Sequence, residues 1–94
     1  MQNKILTIYD CKAEAYGRPF VARSTGEGLR SFTDEVNSGR EDSQLSNHPE
    51  DFTLFEIGTF DDVKGEILLY DGKKSLACGL DVKREPESKV RAIN

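Results

Sequence analysis

Residues 47–70 have the sequence NHPEDFTLFEIGTFDDVKGEILLY, and this stretch decides the fold. Residues 52–60 and 66–70 are rich in aromatic, β-branched and leucine side chains, a composition that is typical of strands. The five residues between them, DDVKG, favour a tight turn, because aspartate supports turns through its side chain and Gly65 tolerates a positive φ. The stretch therefore predicts a β-hairpin.

Two further strands are predicted before this hairpin. Residues 4–10, KILTIYD, carry the β-branched and aromatic side chains of a first strand. Residues 18–23, RPFVAR, predict a short second strand. Pro19 cannot donate a ladder hydrogen bond, so it must lie at a sheet edge or at the start of this strand.

One helix is predicted, over residues 24–38. Thr25 is the expected N-cap residue, since its hydroxyl can accept a hydrogen bond from a free backbone N–H group of the first turn. Leu29, Phe32 and Val36 recur at helical spacing and would form one apolar face. This face is the surface that we expect to pack on the sheet.

The remaining residues predict connections, one weak strand and a tail. Residues 40–51 are polar and predict an exposed loop, and residues 71–74, DGKK, predict a turn. Alternating apolar residues within residues 76–82 indicate a weak fifth strand. We expect residues 1–83 to form a single domain and residues 84–94 to form a flexible tail.

The element order is therefore β-β-α-β-β-β, which predicts an α+β fold. Hairpin-length connections favour an antiparallel sheet of four or five strands with one helix packed on a face. Five strands span about 24 Å, whereas a helix is only about 10 Å across. The strands carry apolar residues on both faces, so part of the sheet needs another cover. We expect self-association through the sheet, as a homodimer.

Composition and charge set limits on function. The chain has 94 residues, 36% hydrophobic and 32% charged, with no apolar run close to the roughly 20 residues of a membrane-spanning helix. Its start also lacks the pattern of a secretory signal. The net charge of −4 is uneven: residues 1–40 carry +1, residues 41–72 carry −8 and residues 73–94 carry +3. A nucleic-acid partner would need a local cationic surface within this pattern.

The sequence contains no motif of a catalytic site. GxSxG, GxxxxGK[ST] and GxGxxG are all absent. We interpret His48, Glu50 and Asp51 as a proline-fixed approach to a strand with solvated carboxylates, because one histidine in a loop makes a weak metal set. Cys11 and Cys78 are interpreted as reduced thiols, with a disulfide between them as the alternative. We therefore expect no enzyme activity, no catalytic residue, no metal and no cofactor.

A cationic and aromatic surface is the remaining candidate site. Single-stranded nucleic acid is held by basic side chains along its backbone and by aromatic rings that stack on its bases. The alternative is an ordinary mixed-charge surface with its aromatic residues in the core, which the lack of a basic excess favours. The candidate contacts are Lys4, Arg18, Arg23 and Arg30 for phosphates and Tyr9, Tyr16 and Phe20 for bases.

Three separated segments also carry a family resemblance. They are IYDCKAEAYGRPF (8–20), STGEGLRSF (24–32), which leads to Val36-Asn37, and HPEDFTLFEIGTFDD (48–62). In this order they resemble the small nonstructural protein of the gokushoviruses, a branch of the microviruses. These are phages with circular single-stranded DNA genomes. The chain departs from the family at residues 17–19, where a proline pair is more common.

The resemblance implies a function that the composition alone does not. It implies a nonstructural phage protein in the host cytoplasm that binds single-stranded DNA during genome replication or packaging. The alternative is a protein-interaction module that docks on a host or viral replication protein through the sheet or through acidic residues 41–72. We expect DNA to avoid the acidic hairpin and to contact the basic N-terminal strands and helix.

Overall fold

The computed structural model of the chain describes residues 1–84, and their strands form one antiparallel sheet. β1 is central, with β4 along one edge for its whole length and β2 and β3 sharing the other edge. β5 pairs with β4 and forms the outer edge on that side. The strands are β1 (Gln2–Asp10), β2 (Ala15–Tyr16), β3 (Phe20–Ala22), β4 (Phe52–Asp61) and β5 (Glu66–Cys78).

Three helices and one 3-10 turn complete the described residues. They are α1 (Thr25–Val36), α2 (Gln44–Asn47), the turn Pro49–Asp51 and α3 (Gly79–Val82). The N-cap of α1 is Ser24, whose Oγ accepts a hydrogen bond from the N–H of Glu27 at 3.1 Å. The predicted cap, Thr25, is instead the first helical residue, which frees its hydroxyl for a contact with the sheet.

The core lies between α1 and one face of the sheet. Leu6, Phe32, Val36 and Leu54 are each at most 2% exposed, and Ala22 closes the cluster. Gly28 lets the helix approach closely, since a Cβ there would lie 2.8 Å from the Cδ2 of Leu6. The half-buried side chains around this cluster are Ile8, Phe20, Leu29, Leu45, Phe52, Leu76, Ala77 and Val82.

The strand register assigns each residue to one of two faces, because directly opposed residues of antiparallel strands point to the same side. Leu6 and Leu54 belong to the helix face, together with the residues opposite them. The other side carries Asn3, Ile5 and Thr7 of β1, each at most 9% exposed, and the half-buried Tyr9; it is here called the open face because α1 packs on the opposite side. Its other members are Tyr16, Val21, Thr53, Phe55, Gly58, Phe60, Ile67, Leu69, Ser75 and Cys78.

The predicted α+β class is confirmed as a mixed fold with an antiparallel sheet of four to five strands, but the path of the last strand differs. The predicted turn at residues 71–74 lies inside β5. The register steps from Glu56↔Lys74 to Gly58↔Leu69, so the four residues Tyr70–Lys73 oppose Ile57 alone. This large bulge contains the turn-forming residues without ending the strand.

Other boundaries also differ from the expected order. Residues 76–82 form the end of β5 and then α3, where a separate fifth strand was expected. The second predicted strand shortens to Phe20–Ala22, and the two-residue β2 precedes it. Part of residues 40–51 is helical, in α2 and the 3-10 turn. Most of the predicted tail, residues 85–94, lies outside the described residues. Within residues 1–84, no helix combines the length and the apolar character needed to cross a membrane.

Gly79→Ala is expected to destabilise the fold. A Cβ at this position would overlap the carbonyl oxygen of Pro49 and lie 2.8 Å from its carbonyl carbon, where only backbone could move. We expect a loss of about 1–3 kcal/mol in the free energy of unfolding, measured by urea denaturation. Gly72→Ala is the matched control, because nothing lies within 4 Å of its Cβ position. Equal unfolding midpoints for the two variants would contradict the close approach.

Candidate nucleic-acid interface

Three aromatic rings meet on the open face. Tyr9 of β1 lies directly opposite Tyr16 of β2, and their ring centroids are 4.7 Å apart at an interplanar angle of 50°. Phe55 of β4 lies opposite Thr7, one position along the same face. Its ring is 5.8 Å from that of Tyr16 in an edge-to-face arrangement at 68°. Residues from three strands therefore form one aromatic cluster.

A lysine lies over this cluster. The Nζ atom of Lys73 is 5.4 Å from the ring centroid of Tyr16 and 5.8 Å from that of Phe55, within cation–π range. Lys73 belongs to the bulge Tyr70–Lys73. The irregular backbone of such a bulge can redirect a side chain relative to a regular strand. The cluster thus combines ring faces with one ammonium group.

The strands segregate their charges between the two faces. Among the paired strand positions within residues 1–84, the open face carries no aspartate or glutamate. The carboxylates of Glu56, Asp61 and Glu66 share the helix face with Leu54 and its neighbours. The paired strand positions of the open face therefore contribute nothing to the −8 charge of residues 41–72.

The position of Tyr16 is fixed by hydrogen bonds around the next residue. The N–H of Gly17 donates to the carbonyl oxygen of Ile8, and the Thr7 hydroxyl donates to the carbonyl oxygen of Gly17, both at 2.8 Å. These bonds hold the short β2 against β1 beyond its two ladder pairs. Arg18 follows in the exposed loop that leads to β3.

The structure brings together only some of the predicted contact residues. Tyr9 and Tyr16 lie together in the aromatic cluster. Phe20 lies opposite Leu6 on the helix face and packs against the core, which removes its ring from a base-stacking surface. Lys4 is also on the helix face, opposite Ala22 and Thr59.

The predicted arginines are likewise divided. The Nε atom of Arg23 lies 3.6 Å from an Oε atom of Glu27, so a carboxylate already accompanies it. Arg30 is exposed on α1, an element of the helix side of the sheet. Arg18 alone follows directly from a strand that contributes to the aromatic cluster. The predicted set is therefore split between opposite sides of the molecule.

Sequence reasoning missed Phe55 and Lys73. Phe55 lies within the predicted hairpin, and strand alternation places it with Thr53 on the face opposite Leu54. Lys73 lies within the predicted turn at residues 71–74, and only the bulge brings it above Tyr16. The alternation could have identified Phe55, whereas no local pattern indicates a bulge of this width.

The family of this chain follows from a comparison with known protein families. Residues 3–82 match the family model described as Phage ORF5 protein. The chain belongs to this family. The match includes Tyr9, Tyr16, Phe55 and Lys73, together with all three helices. No curated protein and no solved structure matches the chain.

Side chains that could bind a metal or react as thiols lie apart from the aromatic cluster of this Phage ORF5 family member. Ligand atoms of His48, Glu50 and Asp51 lie within 4.8 Å of one another, and the His48 and Glu50 side chains are more than half exposed. Cys11 and Cys78 are free thiols in the structure. The Sγ of Cys11 lies 3.8 Å from a carboxylate oxygen of Asp51. His48 follows α2, and Pro49–Asp51 form a 3-10 turn before β4, where an extended approach to the strand was predicted.

The helix face holds one buried carboxylate. Glu56 is 2% exposed and accepts hydrogen bonds from the hydroxyl groups of Thr25 and Tyr70, each at 2.5 Å. Burial alone would raise the pKa of Glu56, but these two bonds and the nearby ammonium groups of Lys4 and Lys74 outweigh it and lower the pKa. The hydrogen bond that the Tyr70 hydroxyl donates to Glu56 raises the pKa of Tyr70. Glu56 therefore joins the start of α1 to the bulge of β5.

Acid is expected to weaken this connection. Because the pKa of Glu56 is lowered on folding, its charged form stabilises the fold fully above the ordinary value of 4.5. That contribution is lost as the pH falls through the folded-state pKa. Tyr70→Phe should reduce the free energy of unfolding by about 1.5–3 kcal/mol at neutral pH, and by less in acid.

Urea denaturation as a function of pH measures this effect. Tyr9→Phe is the matched control, because the Tyr9 hydroxyl makes no hydrogen bond within residues 1–84. A difference between Tyr70→Phe and the wild type that stays constant down to acid pH would contradict the assignment.

Proposed function

We propose that this phage protein binds single-stranded DNA on the open face of its sheet, without enzymatic activity. In this proposal it acts in the replication or packaging of a gokushovirus genome in the host cytoplasm. The family match supports a phage protein, and the three sequence segments that resemble the gokushovirus protein support the narrower origin. The DNA-binding role rests on the arrangement of the open face.

One observation carries the proposal: an aromatic cluster beside an ammonium group on a face whose paired strand positions carry no carboxylate. Bases of single-stranded DNA stack on aromatic rings whatever their sequence, because each base has a π-face. Tyr16 is 45% exposed, so its ring is accessible to a base. The net charge of −4 does not oppose this role, since the local surface determines phosphate attraction.

The DNA path that we propose differs from the one predicted from the sequence, which avoided the hairpin. Residues of the hairpin, Phe55 and Lys73, contribute to the cluster although the hairpin lies in the acidic part of the sequence. DNA is therefore proposed to cross β2, β1 and β4 on the open face. Lys73 and Arg18 are the proposed phosphate contacts, and Tyr9, Tyr16 and Phe55 are the proposed stacking residues.

Removal of one ring should weaken binding. Tyr16→Ala is expected to cost about 1–3 kcal/mol, because a stacked base loses its aromatic partner. Fluorescence anisotropy with a labelled oligothymidine at low salt measures the affinity. Tyr16→Phe is the control, since it keeps the ring and should bind like the wild type. Wild-type protein that leaves the anisotropy unchanged at low salt would refute the DNA-binding proposal.

Salt dependence separates the two sides of the molecule. Lys73→Ala should reduce the slope of log affinity against log salt by about 0.7, the value for one phosphate contact on single-stranded nucleic acid. Arg30→Ala removes the same charge from α1 and should leave the slope unchanged. The reverse result would move the phosphate contacts to the helix side, where the sequence had indicated them.

A second candidate function is docking on a host or viral replication protein. A cleft of about 510 Å³ lies between the β1–β2 connection and α2. Asp10, Glu35 and Asp42 line it, with Arg40 as its basic residue and Ile8, Leu45 and Phe52 as apolar lining. Arg40 pairs with Glu35 at 2.9 Å and with Asp42 at 3.5 Å, so a basic, partly apolar peptide in this cleft would compete with Arg40 for these carboxylates. A nuclease-treated pull-down from infected cells whose partner is lost with Asp42→Lys would favour this function.

A further inference from the structure

Within residues 66–74, the outer edge of the sheet has one protected half and one unprotected half. β5 is 13 residues long, and its outer edge is unpaired by the strands of residues 1–84. The half from Tyr70 to Lys74 contains the large bulge and two lysines, and both features prevent strands from adding to an edge. The half from Glu66 to Leu69 keeps a regular register with β4. Only this half is a suitable template for another strand.

The unprotected half is also the most apolar exposed part of the described chain. Ile67, Leu68 and Leu69 are consecutive and are 64%, 66% and 64% exposed. Ile67 and Leu69 lie on the open face, and Leu68 lies on the helix face. A strand that adds to this edge contacts side chains on both faces of the sheet. A flat surface that covers one face would leave the apolar side chains of the other face exposed.

We propose that a second copy of the chain covers this edge through antiparallel pairing of β5 with β5, centred on Leu68. In that register Leu68 faces the Leu68 of the partner subunit, and Ile67 of each copy faces the other copy's Leu69. Glu66 falls at the level of Tyr70, where the bulge begins and the pairing ends, and not opposite a second carboxylate. The segment is therefore complementary to itself, as a two-fold symmetric interface requires.

The charges beyond the segment fit the same arrangement. The hairpin tip, residues 61–66, carries three carboxylates and one lysine, and one of the carboxylates, Asp62, lies 2.9 Å from the N-terminal ammonium. Antiparallel pairing centred on Leu68 brings the tip of each copy to the level of Lys74 in the other, and Lys74 shares the helix face with Asp61 and Glu66. Opposite charges at these ends orient the pair and disfavour the parallel alternative, in which like charges would meet.

The pairing has a defined consequence for the two open faces. Because directly opposed residues point to the same side, Ile67 and Leu69 of the two copies all lie on one face of a continuous sheet. Both aromatic clusters then face the same direction. The pairing does not depend on DNA. The paired segment, Glu66–Leu69 of each copy, is much shorter than the roughly 20–30 residues per side of a standard interface, so we expect weak association, in the micromolar range.

Sedimentation equilibrium of the full chain without DNA tests the proposal. The wild type should be dimeric at high micromolar concentration, and Leu68→Glu should weaken association about tenfold or more. Leu68 is largely exposed, so this change leaves the monomer folded. Val21→Glu is the matched control: Val21 is 56% exposed and lies on β3, at the opposite edge of the sheet from the paired segment. A monomeric wild type, or equal effects of the two substitutions, would overturn the proposal.

Cross-linking tests the register itself. In a Cys11→Ser/Cys78→Ser background, Leu68→Cys should oxidise rapidly to a disulfide-linked dimer, because the two thiols face each other across the two-fold axis. Ile67→Cys should react more slowly, since it faces the leucine at position 69. Equal rates would overturn this register. A wild type that stays monomeric but sediments with lipid vesicles would assign the apolar edge to a membrane surface and overturn the dimer.

Discussion

Pairing of β1 along both of its edges is the constraint on which the other features of the structure depend. β4 occupies one edge over nine consecutive β1 residues, and β2 and β3 divide the other edge between them. This pairing fixes which β1 side chains point toward α1 and which point away. Leu6 and Ile8 therefore enter the core, while Thr7 and Tyr9 define the open face. The aromatic cluster is a direct result of that alternation.

The buried Glu56 shows how polar groups are accommodated beside this core. A carboxylate at 2% exposure needs hydrogen bonds from its surroundings, and the hydroxyl groups of Thr25 and Tyr70 supply them. The arrangement uses one residue from the first turn of α1 and one from the bulge of β5. The bulge thus has two roles: it brings Tyr70 to Glu56 on the helix face and Lys73 to the aromatic rings on the open face.

Much of the fold could be predicted from local signals in the sequence. Leu29, Phe32 and Val36 indicated the helix, and the DDVKG turn between two apolar runs indicated the hairpin. The departures occur where long-range contacts override local preference. Asp71-Gly72 has the chemistry of a turn, yet pairing with β4 on both sides of the bulge keeps it within one strand. The site was only partly predictable for the same reason: Tyr9 and Tyr16 are close in sequence, whereas Lys73 reaches Tyr16 only through the bulge.

The pairing of β1 with β4 also affects how the chain can fold during synthesis. Residue 2 pairs with residue 61 and residue 10 with residue 52, so the central ladder joins the beginning of the chain to its second half. Such non-local pairing slows folding, because a long loop must close before its contacts form. On the ribosome, the central strand has no β4 partner until residues 52–61 have emerged. A chain cut off before that point would leave the apolar side chains of β1 unpaired and prone to aggregation.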